Sequence, residues 1–195
     1  VLLIEQDGPI EVVERDMARI AEVCKEEKAV SVQLAQSEAE AEALRTARRS
    51  ALSALARLKP TTILEDATVP RSEIARMVNA INEIAKKYDL DICTFGHAGD
   101  GNLHPTCPTD SRNHKEMERV EKAFAEIFEK AIEFGGTITG EHGVGVMKAP
   151  YLELKLGKEG ITAMKAVKMA LDPNNIMNPG KIFAKDSRKR VVVTK

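Results

Sequence analysis

The chain has 195 residues, 43% hydrophobic and 30% charged, a composition that supports a packed core and excludes intrinsic disorder. Lys and Arg number 29 against 30 Asp and Glu, a formal net charge of −1 that argues against nucleic acid as a partner. No apolar run approaches the ~18–20 residues of a membrane span and nothing at the start resembles a signal peptide. Three cysteines (Cys24, Cys93, Cys107) without a CxxC pair fit free thiols in a reducing, cytoplasmic setting.

Residues 1–5 (VLLIE) read as a short buried strand that begins without a preceding cap or turn, either a true start or the downstream part of a longer protein. After Asp7-Gly8-Pro9, residues 11–28 are helical in period, with Val12, Val13, Met17, Ile20, Ala21 and Cys24 on one face. Residues 30–34 (VSVQL) alternate as a strand. Ser37 and Glu40 fit a capping box opening an alanine-rich helix to about residue 58, which Lys59-Pro60 closes. TTIL at 61–64 is a β-branched strand, and the helix after Pro70 carries Ile74, Met77, Val78, Ile81, Ile84 and Ala85 as its stripe. A strand at 91–95 (DICTF), a Gly/His loop and a strand through Leu103 and His104 follow. A helix at 113–134 ends at Gly135-Gly136, a strand is predicted at 137–139, and a last helix at 158–171 stops at Asp172-Pro173. Met147-Lys148-Ala149-Pro150 reads as an interruption between them.

Residues 61–139 thus read β-α-β-β-α-β, and the tight strand-loop-strand at 91–106 favours antiparallel pairing. The fold class is α+β: a ferredoxin-like antiparallel sheet with helices on one face, plus a C-terminal helical segment. The expected organisation is a cap or substrate domain at 1–140, a helical segment at 141–185, and a flexible tail at 186–195 containing Arg188-Lys189-Arg190.

Chemistry-bearing residues concentrate in two glycine-rich loops, GHAGDGNLH at 96–104 and GEHGVG at 140–145. Glycine lets such loops bend closely around a bound group. His97 and His104 could be two imidazole ligands brought together by the strand-loop-strand, or two turn histidines bonded to backbone. Glu141 strengthens the ligand reading, because two His and one carboxylate are a common divalent-metal set with open positions. His142 would face away from Glu141 on a strand but could share a centre with it in a turn. His114, at the polar start of a helix, reads as a surface residue, and Cys107 as inert packing. The glycines at 140, 143 and 145 do not form a dinucleotide fingerprint, because no helix opens on them in a βαβ unit.

GHAGDGNLHP, GEHGVGVMK and DPNNIMNPGKIF, in this order and spacing, resemble the C-terminal part of the FAD-linked oxidases of the vanillyl-alcohol-oxidase superfamily. RRSALSALARLKPTTILEDATVP at 48–70 resembles the branch that holds the glycolate oxidase D subunit and the D-lactate and D-2-hydroxyglutarate dehydrogenases. The resemblance implies oxidation of a small 2-hydroxy acid to a 2-oxo acid by hydride transfer to FAD. It assigns His97, His104 and Glu141 to a divalent metal (zinc, iron or manganese), His142 to the base, Arg48 to the substrate carboxylate and Asn178 to the flavin. Arg45 departs from the pattern, since relatives often carry an aromatic residue there. The family binds FAD mainly through an upstream domain, so this chain by itself is expected to lack oxidase activity. Partner subunits, an iron–sulfur protein among them, or a homodimer are the assemblies the resemblance allows.

Two other classes fit some of the same residues. A stand-alone metal-binding α+β module for ligand sensing would use His97, His104 and Glu141 without flavin. A metal-dependent hydrolase would use the open metal position to activate water.

Overall fold

A computed structural model describes residues 1–183; the predicted tail at 186–195 lies outside the described residues. The chain divides into two compact units, Val1–Leu55 and Ala56–Lys195.

The first unit contains two helices, α1 (Ile10–Glu26) and α2 (Glu38–Leu55). The six apolar positions that repeat along α1 are half-buried, as the period requires, and Asp16 lies half-buried among them. Ser37 Oγ accepts from Glu40 N–H at 3.3 Å, while the Glu40 carboxylate reaches back to Gln36 N–H at 2.7 Å, one residue before the expected partner. The strands predicted at 1–5 and 30–34 are not formed. Both segments are largely exposed, and an apolar run or an alternating pattern makes a strand only where another strand offers its edge.

In the second unit the strands are β1 (Thr61–Leu64), β2 (Ala67–Thr68), β3 (Cys93–His97) and β4 (Asn102–Thr109), all antiparallel. β4 is the central strand. β1 and β2 follow one another along one of its edges, and β3 pairs with the other. The strand expected at 137–139 is reduced to a bridge between Thr137 and Thr68. Counting β1 and β2 as the first segment, β3 as the second, β4 as the third and the Thr137 bridge as the fourth, the spatial order is fourth, first, third, second, that of the ferredoxin-like split βαββαβ unit.

A 3-10 turn at Arg71–Glu73 leads into α3 (Ile74–Lys87), and α4 is His114–Glu133. Met77, Ile81 and Ile84 of α3 and Val120, Phe124 and Ile127 of α4 pack on Ile63, Leu103 and Cys107 of the sheet. Asn113 caps α4, its side chain accepting from Glu116 N–H. The last helix, α5 (Ala149–Leu171), starts well before the predicted residue 158 and is broken at Gly157, where φ is 68°. Pro150 sits in its first turn, where a missing N–H costs nothing, so this proline begins a helix instead of interrupting one. No helix among the described residues is long and apolar enough to cross a membrane.

Candidate active site

In the β3–β4 hairpin Phe95 pairs with His104 and His97 with Asn102. Opposed residues of an antiparallel pair share a face, as do residues two apart on one strand. His97 and His104 are therefore diagonal neighbours on one face, with ring centroids 5.3 Å apart. The opposite face of β4, at Leu103 and Cys107, belongs to the core. Gly101 closes the hairpin with φ 72°, and a Cβ there would run into the carbonyl of Val69.

The chain returns over the histidine face after Thr137. At Gly140 a Cβ would collide with Thr68 Oγ1 and stand 2.8 Å from the Asn102 amide, so only glycine lets the backbone pass. Residues 140–145 form a loop, not a strand. Glu141 and His142 consequently turn toward a common centre, with Glu141 Oε1 3.9 Å from His142 Nε2. The same Glu141 oxygen lies 3.1 Å from His104 Nε2. The ring of His142 stacks on that of His104, centroids 5.1 Å apart and planes inclined by 11°.

His97, His104 and Glu141 thus each present one ligand atom within 4.8 Å of the others. Their chemistry suits a divalent ion: two imidazoles and a carboxylate. His104 is 7% exposed, and its Nδ1 is buried without a hydrogen-bond partner among the described residues. The ring nitrogen that faces Glu141 is Nε2, so a shared cation would take that atom, and the orphaned Nδ1 on the other side of the ring is the kind of buried group that ordered water satisfies. Burial holds the His104 pKa below the ordinary imidazole value; the Glu141 carboxylate opposes that shift and the neighbouring histidines add to it. The neutral ring is the form that ligates a metal.

Three charged residues that received no role from the sequence support this loop. Asp66, fully buried between β1 and β2, accepts hydrogen bonds from the N–H groups of Gly140, Glu141 and His142. Its other carboxylate oxygen pairs with the Lys148 ammonium, which also lies 3.2 Å from Glu65. Burial alone would raise the Asp66 pKa, but the Glu141 N–H, the Lys148 ammonium and the His142 N–H hold it well below the usual carboxylate range. Glu65 is shifted upward because burial outweighs its attraction to Lys148. The sequence carried half of this signal, since Glu65-Asp66 interrupts an apolar β pattern and buried carboxylates demand partners, but it did not say which partner.

The remaining predicted site residues occupy other elements. Arg48 lies exposed on α2 in the first unit. One turn before it, Arg45 donates to Glu5 and Glu42 at 2.9 and 3.0 Å and pairs with Glu38. Asn178 is exposed in the C-terminal turn with φ 49°. Asp172 shapes that turn by accepting from Ile176 and Met177 N–H, each at 2.9 Å. Ile182 N–H donates to Gly145 O at 2.8 Å, tying the turn to the loop of Glu141 and His142. His114 opens α4 on the exposed surface. Burial pushes the Cys107 thiol up to about 12, which keeps it unreactive.

Over residues 1–182 the chain matches the family of FAD linked oxidases, C-terminal domain. The chain belongs to this family. It is 80% identical over 192 residues to the glycolate oxidase subunit GlcD of Bacillus subtilis, covering 98% of this chain and 41% of that protein. Identity to the glycolate oxidase subunit GlcD of Escherichia coli K12 is 36% over 181 residues, 93% of this chain and 36% of the relative. A D-lactate dehydrogenase of Anaerostipes hadrus is 41% identical over 121 residues, 62% of this chain and 26% of its own length. The chain therefore spans about two fifths or less of these relatives.

Proposed function

We propose that this chain is the substrate-side part of a flavin-dependent oxidoreductase that converts a small 2-hydroxy acid, glycolate or D-lactate in type, to the 2-oxo acid. The observation that carries the reading is the convergence of the two glycine-rich loops, which sets His142 against the His97–His104–Glu141 cluster in a chain of this family. When bound, FAD would supply the hydride acceptor and a divalent ion (zinc, iron or manganese) Lewis-acid chemistry.

The residues of the chain itself bind, orient and take the proton. His97, His104 and Glu141 would hold the ion. His142 receives the hydroxyl proton on its imidazole, the side chain best suited to proton transfer near neutral pH. Arg48 grips the substrate carboxylate through two parallel N–H bonds, which fixes the direction of the Cα–H. Asn178, in the C-terminal turn, would border the flavin, and the segment from residue 141 onward would pack on the flavin-binding part of the protein. Partner subunits, an iron–sulfur protein among them, would accept the electrons in the cytoplasm; two of the relatives are themselves named as subunits.

Steady-state assays of the full-length protein with an artificial acceptor test this reading. Glycolate or D-lactate should be turned over, while the matching alcohols without a carboxylate should not. Equal turnover of the alcohols, or none of any 2-hydroxy acid, would refute it.

A further inference from the structure

We propose that Asp66 is the positioning residue that sets the loop bearing Glu141 and His142, with Lys148 as its buried counter-ion. The proposal rests on the reading of that loop as half of a metal-and-base site. Asp66 lies more than 70 positions before the loop in sequence, in the two-residue break between β1 and β2. Its Oδ2 accepts from three consecutive N–H groups, at 2.7 Å from Gly140, 2.8 Å from Glu141 and 3.1 Å from His142, and from Thr139 Oγ1 at 3.2 Å. Successive N–H groups pointing inward make an anion-binding nest, and here the anion is a side chain of the sheet itself. Both halves of the site are thereby referenced to one pair of strands: His104 rides on β4, and the loop hangs from the edge strand beside it.

The second carboxylate oxygen faces two groups, the Lys148 ammonium and His142 Nδ1, the latter at 3.6 Å. Lys148, 1% exposed, also donates to the Asp66 carbonyl at 3.3 Å, and its own N–H donates to Val144 O at 3.1 Å, closing the far end of the loop. Burying such charges is costly, and apolar replacements of buried ion pairs are often neutral or stabilising. Hydrocarbon could not accept from three N–H groups in a row. The carboxylate is required because the loop it carries must cross a polar site without a sheet partner of its own.

The test compares full-length wild type, Asp66→Asn, and the charge-balanced pair Asp66→Ala with Lys148→Met. Cobalt(II) is the probe, and near-ultraviolet circular dichroism confirms folding. Asp66→Asn keeps one acceptor oxygen and should bind cobalt(II) within about tenfold of wild type; the paired variant should bind about 10- to 100-fold more weakly, the range typical of lost support behind a metal ligand. Its kcat should fall with KM little changed. A folded pair that binds cobalt(II) as tightly as wild type overturns the proposal. Amide hydrogen exchange in wild type tests the geometry without a variant: slow exchange at Glu141 and His142 is expected, and exchange as fast as in a free loop overturns it. A wild type that binds no cobalt(II) yet protects both amides overturns the metal reading alone.

Discussion

His104 Nε2 and Glu141 Oε1 are 3.1 Å apart, one from the centre of the sheet and one from the exposed rim of a loop. This contact joins the two glycine-rich motifs into one site, and every chemical proposal for the chain depends on it. Either the imidazole donates to the carboxylate or both face a shared cation.

A shared cation makes the contact sensitive to conservative change. Glu141→Gln preserves shape and removes the charge, and His97→Ala removes a ring from the exposed side of the cluster. Each should weaken divalent-ion binding by more than about tenfold, beyond the lower end of losses seen for supporting residues alone. Metal content after dialysis of the full-length protein reads this directly; unchanged content in both variants would leave the cluster without an ion-binding role.

Gly140→Ala probes the close passage of the loop over Thr68 and Asn102. Thr68 Oγ1 donates to Asn102 Oδ1 at 2.8 Å, so these atoms cannot yield without losing a hydrogen bond. The variant should lose metal affinity and turnover by an order of magnitude or more while retaining most of its thermal stability. Gly143→Ala, where φ is 80° but the space is open, should instead cost about 1–2 kcal/mol of local strain with smaller effects on the metal.

The hairpin was legible as a strand, a loop and a strand, whereas the shared face of the two rings follows from the four-residue turn, which only the register fixes. The α3 and α4 stripes were legible as a local period meeting a core. The support of the loop was not. Asp66 and Lys148 lie 82 positions apart, and nothing in either neighbourhood names the other. Residues 1–5 and 30–34 failed in the opposite direction, since their strand-like pattern has no edge to meet. The early start of α5 was hidden by Pro150, whose meaning depends on whether it stands inside a helix or at its head.

The Lys59–Glu116 pair gives the second unit a pH-dependent component of stability. Lys59 Nζ donates to Glu116 Oε1 at 2.6 Å, lowering the Glu116 pKa against the opposing effect of burial. The contribution of Glu116 is therefore complete above its unfolded pKa near 4.3 and is lost as pH falls through the lower folded value. Lys59 is raised mainly by the same bond, so its contribution is complete below about 10.4 and is lost as pH rises through the higher folded value. Lys59→Met should cost about 1 kcal/mol at pH 6, discounted for the partial exposure of the lysine, and the gap should shrink below pH ~4. Denaturant melts across that range would show it; a gap independent of pH would contradict it.

Ile127 is fully buried between the helices and the sheet. Ile127→Ala should destabilise the protein by about 2–5 kcal/mol, the cost of lost transfer energy and a residual cavity. Glu129→Ala, on the exposed side of α4, should stay within about 0.5 kcal/mol. Chemical denaturation of both separates core from surface; equal effects would mean α4 does not pack as described.

Whether His142 takes the substrate proton is settled most directly by single-turnover flavin reduction in the full-length protein, wild type against His142→Asn, with flavin and metal content measured on the same samples. With both contents intact, the variant should reduce its flavin about 10²–10⁴ times more slowly on a 2-hydroxy acid, the range expected for loss of a general base. Flavin reduction at the wild-type rate would contradict the account.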